Sequence, residues 1–263
     1  MLKRELKINL KSFLIWTSIL IVMFLVVFLV YPYIITDESV NSLDKMMKVF
    51  PKELIKAFNM DITSINTVYG WLKSEGFMFV LIIVGIYSSI MGSNIVLKEE
   101  SDKTIEYLNG LPIKRSKIVL DKVLVAIFYI VLMVVVVGIF NYIGLAISGD
   151  FERKQYLMLS ITPLLCGLPL FAINLFLSTF RHKTKKTIGI SLGMVFFFYF
   201  LQIVSELGEK TKVLRYFTIY TLADTRNIVA KTAFNPWMIA ISLVITTVFI
   251  VGAFIRYEKK ELI

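Results

Sequence analysis

The sequence predicts an all-α membrane protein with six transmembrane helices, and three observations lead to this fold class. Six stretches are each long enough to cross a hydrocarbon core of roughly 30 Å as a helix, and none contains a charged residue or a histidine. Mean hydropathy is +0.76 and 57% of the residues are hydrophobic, which leaves too little polar surface for a water-soluble fold. The period-two alternation of a transmembrane β-barrel is absent.

The chain is predicted to form a single transmembrane domain. In order, we expect a helix on the inner membrane surface (1–12), span one (13–35), an outer loop (36–75), span two (76–97), a cytoplasmic segment (98–122), span three (123–147), span four (156–180), span five (187–205), an outer segment (206–236) and span six (237–255).

The first 12 residues combine four basic residues with apolar side chains at Leu2, Leu6, Ile8 and Leu10. This pattern favours a short helix on the inner membrane surface, and a disordered basic tail is the alternative. The segments on the side of the first residue carry 17 of the 29 Lys and Arg residues, which predicts that both termini are cytoplasmic.

The two long outer segments each contain apolar residues at helical spacing. In the outer loop, these residues predict one or two amphipathic helices, interrupted near Pro51, on the outer membrane surface. The segment 206–236 contains an aromatic cluster followed by a short helix that Asp224 would cap. Its length and apolar character are compatible with a re-entrant hairpin.

Small residues within the spans predict close helix packing. Span two carries Gly85, Ser89 and Ser93 at intervals of four, and span five carries Gly189 and Gly193. Polar intramembrane residues such as Asn94 and Gln202 are expected to join helices more often than to contact a substrate.

The sequence lacks the chemistry of an enzyme or of an ion-coupled transporter. No ionisable residue interrupts the six apolar stretches, which disfavours a secondary transporter. The chain has no Gly-Lys dipeptide and therefore no phosphate-binding loop of the Walker type. His182 lies in a basic loop and is expected to be solvated, and Cys166 is expected to be a packing residue. We predict that the chain binds no metal or cofactor and is not an enzyme.

The segment 98–122 is charged at eleven of its 25 positions, yet it keeps a helical apolar pattern. Ser101 is expected to cap the start of a helix, and Asn109-Gly110 to end it. A short amphipathic helix on the cytoplasmic side suits docking to a partner, with the surrounding charges fixing its orientation.

This segment resembles the cytoplasmic coupling segment of type-2 ATP-binding-cassette exporter permeases, a family of small bacterial proteins related to the ABCG fold. The residues that match the family pattern are Glu100, Thr104, Glu106, Leu111, Pro112, Arg115 and Lys122. Lys103 stands where the family usually has Gly, from which we expect a more continuous helix. The stretches FPKELIKAFNMDITSINTVYGWLKSEGF and VLRYFTIYTLADTRNIV are also similar to that family.

The resemblance implies a complex of two permease subunits, identical or related, with two ATPase subunits that bind ATP and Mg²⁺. It makes the following residues candidates for contact with the ATPase: Glu99, Glu100, Thr104, Ile105, Glu106, Leu108, Leu111, Pro112 and Arg115. Spans two and five would line the substrate path, with candidates Tyr87, Asn94, Phe197, Tyr199 and Gln202. Spans one and five would lie near the dimer interface, where Gly189 and Gly193 would permit close packing.

The predicted function is therefore that of a permease subunit of an ATP-driven exporter in a bacterial plasma membrane. Because the candidate path residues are uncharged, we expect a hydrophobic or amphipathic substrate, such as a peptide toxin, a peptide antibiotic or a lipid-like compound. The alternatives are a permease for an ion or a glycan-linked lipid, and a non-transporting scaffold or sensor. Nucleic acid is not an expected partner, since the positive charge is spread over short loops that flank the spans.

Overall fold

The computed structural model of the protein describes residues 1–34, 67–105 and 114–260. All regular structure in these residues is helical, and six helices are long and apolar enough to cross a membrane, so the predicted fold class is confirmed. The helices are α1 (Leu2–Ile34), α2 (Val68–Asn94), α3 (Lys98–Ser101), α4 (Arg115–Ser148), α5 (Arg153–Ser178), α6 (Thr184–Ser205), α7 (Thr225–Lys231) and α8 (Pro236–Glu258). Two 3-10 helices, Glu209–Phe217 and Ile219–Ala223, precede α7.

The membrane helices extend beyond the apolar stretches that predict them. The predicted surface helix and span one form a single helix, α1. α2 begins early enough to include Lys73 and Glu75, and α4 includes Asp121 and Lys122. The spanning helices therefore include ionisable residues near their ends, outside the apolar stretches. An apolar run sets the minimum length of a span, whereas backbone hydrogen bonds continue the helix beyond it.

α5 lies at the centre of the bundle. It packs against α2, α8 and α4, while α1 packs on α4 and α6 packs on α2. The contact between α2 and α5 is close at Gly92, where a Cβ atom would lie 2.4 Å from the carbonyl oxygen of Phe171. Small residues allow backbones to approach in this way, and dispersion contacts then stabilise the helix pair within a membrane.

α1, α6 and α8 present apolar side chains on the outside of the bundle. Leu29 on α1, Phe200 on α6 and Val248 on α8 are each at least 60% exposed. In a helix of spanning length, such faces contact lipid or another membrane chain.

The segment after α6 forms two short 3-10 helices and α7. Tyr220 and Leu222 are buried against α5, and the Cys166 thiol donates to the carbonyl oxygen of Ile219 at 3.3 Å. The predicted short helix is present as α7. Asp224 occupies its N-cap position in a left-handed conformation, without a capping hydrogen bond from its side chain. The predicted amphipathic helices of the outer loop lie outside the described residues.

Candidate functional site

A cluster of charged side chains lies at the end of the bundle where α1 begins and where α2 and α8 end. We call it the charged cluster, and its members are Glu5, Glu99, Glu100, Lys122, His182 and Lys260. It brings together the two ends of the described chain, which therefore lie on the same side of the bundle.

One half of the charged cluster is built around Lys122, near the start of α4. Its ammonium donates to Glu99 Oε1 at 2.7 Å and to the carbonyl oxygen of Ile95 at 2.6 Å, and it lies 3.4 Å from Glu5 Oε1. The side chain of Lys122 is 1% exposed. Burying an ammonium costs free energy unless acceptors surround it, and two carboxylates and a carbonyl do so here. This half joins α1, α3 and α4.

The other half is built around Glu100 and Lys260. The Lys260 ammonium donates to Glu100 Oε1 at 2.7 Å and to the carbonyl oxygen of Arg181 at 2.6 Å. Nδ1 of His182 lies 3.1 Å from Glu100 Oε2. Burial lowers the pKa of Lys260, and the neighbouring Glu100 carboxylate opposes that shift. This half joins α3 to the residues that follow α5 and α8.

Arg115, the first residue of α4, reaches the end of α8. Its guanidinium donates to the carbonyl oxygen of Lys260 at 3.0 Å and lies 3.5 Å from that of Glu258. The last carbonyl groups of a helix have no partner within the helix, so a basic side chain at this position stabilises the helix end.

α3 ends in a turn where the sequence predicts a continuing helix. The N–H of Thr104 donates to the carbonyl oxygen of Glu99 at 2.8 Å, and that of Lys103 donates to Glu100 at 3.2 Å. This pair of bonds is the Schellman motif, whose residue after the cap adopts a left-handed conformation. Lys103 occupies that position with φ of 55°.

Two expectations for this segment are therefore wrong. Ser101 is the last residue of α3 and does not cap the start of a helix. Lys103 does not make the helix more continuous, because its backbone conformation ends the helix. Glycine is favoured in this conformation because it has no Cβ atom, which explains why Gly would suit the position that Lys103 holds.

The candidates for contact with an ATPase fall into three groups. Glu99 and Glu100 turn inward to Lys122 and Lys260, and Arg115 turns to α8, so these charges hold the segment to the bundle. Thr104 is exposed at the end of the turn, and Ile105 is buried. Outside the described residues lie Glu106, Leu108, Leu111 and Pro112.

A cavity of about 80 Å³ lies between α2 and α6, at the end of the bundle opposite the charged cluster. Its lining includes the polar side chains Lys73, Gln202, Glu206 and Arg226, and it also includes Phe77, Met78, Leu81, Tyr199, Ile203 and Tyr220. Glu206 bonds to Arg226, and Thr221 donates to Gln202 Oε1 at 3.0 Å. This volume accommodates a few water molecules.

A π-helical turn, Leu72–Gly76, interrupts α2 beside this cavity. Lys73 and Ser74 belong to this turn and line the cavity. The Ser74 hydroxyl donates to the carbonyl oxygens of Gly70 and Trp71. Such turns displace side chains from regular helical positions and are frequent at functional sites.

Only some of the candidate path residues line the cavity between α2 and α6. Tyr199 and Gln202 line the cavity, and Tyr199 stacks edge-on against Tyr220 at 5.9 Å. Phe197 is exposed on the outside of α6. Tyr87 is buried in the core, and Asn94 is half-buried at the other end of α2.

The small residues chosen from the sequence have two different environments. Ser89 and Ser93 are fully buried, and a Cβ atom on Gly85 would lie 2.7 Å from the Tyr220 hydroxyl. On α6, no atom lies within 4 Å of the position that a Cβ would take on Gly189 or Gly193.

Sequence reasoning missed three members of the charged cluster. His182 is exposed, as expected for a loop residue, and it also contacts Glu100. Glu5 and Lys260 lie far from segment 98–122 in the chain, so no local pattern in the sequence connects them with it. The sequence indicates a special position for Glu5 only weakly, because it is the one acidic residue among the first 12. In the structure, its carboxylate pairs with the buried ammonium of Lys122.

Residues 2–262 match the model of the family described as ABC-2 family transporter protein. A comparison with curated proteins finds no match.

Proposed function

This chain belongs to the ABC-2 transporter family as a membrane permease subunit, and we propose that it exports a hydrophobic or amphipathic substrate with energy from a separate ATPase. The proposal is supported by the way in which residues 98–115 are attached to the bundle. These residues run from the start of α3 to the first residue of α4, and we call them segment 98–115. Buried ion pairs join the start of this segment to Lys122 of α4, which also pairs with Glu5 of α1, and to Lys260 after α8. Lys260 also donates to the carbonyl oxygen of Arg181 after α5. A segment held in this way would pass a displacement at one end of the bundle to most of its helices.

The ATPase would bind the residues that follow Glu100 and precede Arg115 in the sequence. The side chains of Glu99, Glu100 and Arg115 bond to other parts of the bundle. We therefore propose that the ATPase contacts the stretch from Thr104 to Lys114. In the proposed orientation, the charged cluster and both termini are cytoplasmic, in agreement with the distribution of Lys and Arg. ATP and Mg²⁺ would bind to the ATPase, and the membrane would be a bacterial plasma membrane.

The cavity between α2 and α6 supports an amphipathic substrate. Tyr199, Phe77 and Met78 offer an apolar and aromatic surface, while Lys73 and Gln202 supply polar groups. Pockets of this composition bind apolar bodies and orient them through a few polar contacts. In the proposed cycle, two permease subunits face each other and this region widens when the ATPase subunits close.

The ATPase contact is tested by purifying the protein with its ATPase and exchanging one charge. Glu106→Lys should weaken complex formation and ATP turnover, because it reverses the charge in the proposed docking stretch. Glu152→Lys is the control, since Glu152 is exposed at the opposite end of the bundle. Unchanged assembly and turnover in both variants would refute docking through this stretch.

The substrate class is tested by ATP-driven uptake of a fluorescent amphipathic peptide into inside-out vesicles. We expect Tyr199→Ala and Gln202→Ala each to reduce uptake by about fivefold, which corresponds to the loss of one net contact of about 1 kcal/mol. Leu243→Ala should leave uptake unchanged, because Leu243 is exposed on α8 and lies outside the cavity. Flux of an ion or a glycan-linked lipid without peptide uptake would contradict the proposed substrate class.

A further inference from the structure

Lys260 connects the end of α8 to the charged cluster. It lies two residues beyond the end of α8, where a lysine would ordinarily extend into solvent. Instead its side chain is 2% exposed and its ammonium bonds to Glu100 and to the carbonyl oxygen of Arg181. Its neighbour Lys259 is exposed. The burial of Lys260 is therefore specific to its position.

The backbone of the same residue holds the other end of segment 98–115. Arg115 donates to the carbonyl oxygen of Lys260, while Glu100 accepts from its ammonium. Glu100 and Arg115 flank the stretch that is proposed to contact the ATPase. One residue after α8 thus binds both ends of that stretch.

Covalent connection alone cannot supply this attachment. The chain runs directly from α2 into the segment and from the segment into α4, but α5 and α8 are distant in sequence. α5 and α8 pack extensively against each other at the centre of the bundle. Lys260 connects this pair to the segment, because it bonds to Glu100 on α3 and to Arg181 after α5.

We propose that Lys260, with Glu100 and Arg115, forms a latch that couples displacement of segment 98–115 to α5 and α8. The latch rests on the proposed function, since it transmits movement that the ATPase generates. Lys260 is a positioning residue and contacts neither substrate nor nucleotide. Without the latch, the ATPase would still bind and hydrolyse ATP, but less of its movement would reach the centre of the bundle.

The test measures ATP hydrolysis and substrate transport in the same vesicles and compares their ratio between variants. We expect Lys260→Met to retain assembly with the ATPase and ATP hydrolysis, but to lower transport per ATP by about fivefold or more, the usual size of a coupling between sites. Lys260→Arg keeps the charge and the donors, so it should retain coupling. Lys259→Met removes a neighbouring exposed lysine and should behave as wild type.

A double variant separates the latch from simple stability. In Lys260→Met, Glu100 keeps its contact with His182 but loses its buried ammonium, which can lower stability. Glu100→Gln combined with Lys260→Met removes that unpaired charge and should recover thermal stability while transport per ATP stays low. The latch is refuted if the double variant recovers both thermal stability and transport per ATP. It is also refuted if Lys260→Met transports as much substrate per ATP as wild type. If wild type neither binds the ATPase nor transports, the proposed function itself is refuted.

Discussion

At the residue scale, Lys103 ends α3 in a conformation that its side chain disfavours. Its φ of 55° places the Cβ atom near the backbone, at a cost of about 1 kcal/mol relative to glycine. The Schellman bonds of Thr104 and Lys103 hold this conformation in place. Lys103 therefore carries local strain beside the stretch proposed to bind the ATPase.

We expect Lys103→Gly to stabilise the protein by about 0.5–1 kcal/mol, because glycine adopts a positive φ without steric cost. The measurement is the thermal unfolding midpoint of the purified protein in detergent. Lys103→Ala is the matched control: it removes the same charge but retains Cβ, and it should not stabilise. An equal increase in both variants would mean that charge, and not backbone strain, is responsible.

Lys122 illustrates how much a buried charge depends on its partners. Lys122→Met should destabilise the protein by about 3–5 kcal/mol, because it leaves Glu99 and Glu5 buried without a cation. Adding Glu99→Gln should recover part of the loss. Lys117→Met, at an exposed position on the same helix, should have little effect. Thermal unfolding of the three variants checks this, and a similar loss for Lys117→Met would contradict it.

At the scale of the elements, the contact between α2 and α5 depends on the absence of side chains. α2 presents Gly85, Ser89 and Gly92 as small residues, and Gly92 approaches the backbone of α5. The nearest atoms to its missing Cβ belong to the main chain, so they cannot move aside as a flexible side chain can. The distance between the two helices is therefore set at this point.

Gly92→Ala should destabilise the protein by about 1–3 kcal/mol, because the added methyl group forces the two helices apart. Gly138→Ala is the control, and it should slightly stabilise the protein. Its Cβ would meet Ser160 at an ordinary 3.5 Å, and alanine favours a helix by up to about 1 kcal/mol. Thermal unfolding in detergent distinguishes the two, and a stabilising Gly92→Ala would show that the contact is looser than described.

At the scale of the whole molecule, the outward faces of α1 and α6 leave apolar surface for lipid or for a second permease. On α6, Phe196, Phe197 and Phe200 are exposed, and the surroundings of Gly189 and Gly193 are open. An open small-residue face permits the close approach of another helix. This supports the proposal that α6 lies at the interface between two permease subunits.

Replacing Gly189 and Gly193 with leucine should weaken dimerisation without unfolding the protomer. Each leucine side chain would meet no atom of its own protomer near its Cβ, but it would keep a helix of a second subunit from approaching closely. We expect a loss of about tenfold or more in the dimer fraction that chemical cross-linking captures in vesicles, the effect of about 1.4 kcal/mol. Ala240→Leu, on an exposed face of α8, is the control. Unchanged cross-linking in the double variant would exclude this face.

The class of the protein and the order of its spans follow from the amino-acid sequence alone. Apolar runs long enough to cross a membrane are a local property, so six of them identify six helices without knowledge of their contacts. The helix α7 and the position of segment 98–122 between two spans were accessible for the same reason. The exact helix ends were not, because backbone hydrogen bonding continues into residues such as Glu75 and Lys122.

The roles of the charged and the small residues depend on how the helices pack. Glu99 and Glu100 look like exposed docking charges in the sequence, but their cations come from α4 and from the residue after α8. Ion pairs between distant parts of the chain depend on how helices pack, which leaves no periodic signal in one sequence. The left-handed turn at Lys103 is equally hidden, since the bonds of Thr104 and Lys103 to the preceding helix, and not the residue type, impose it.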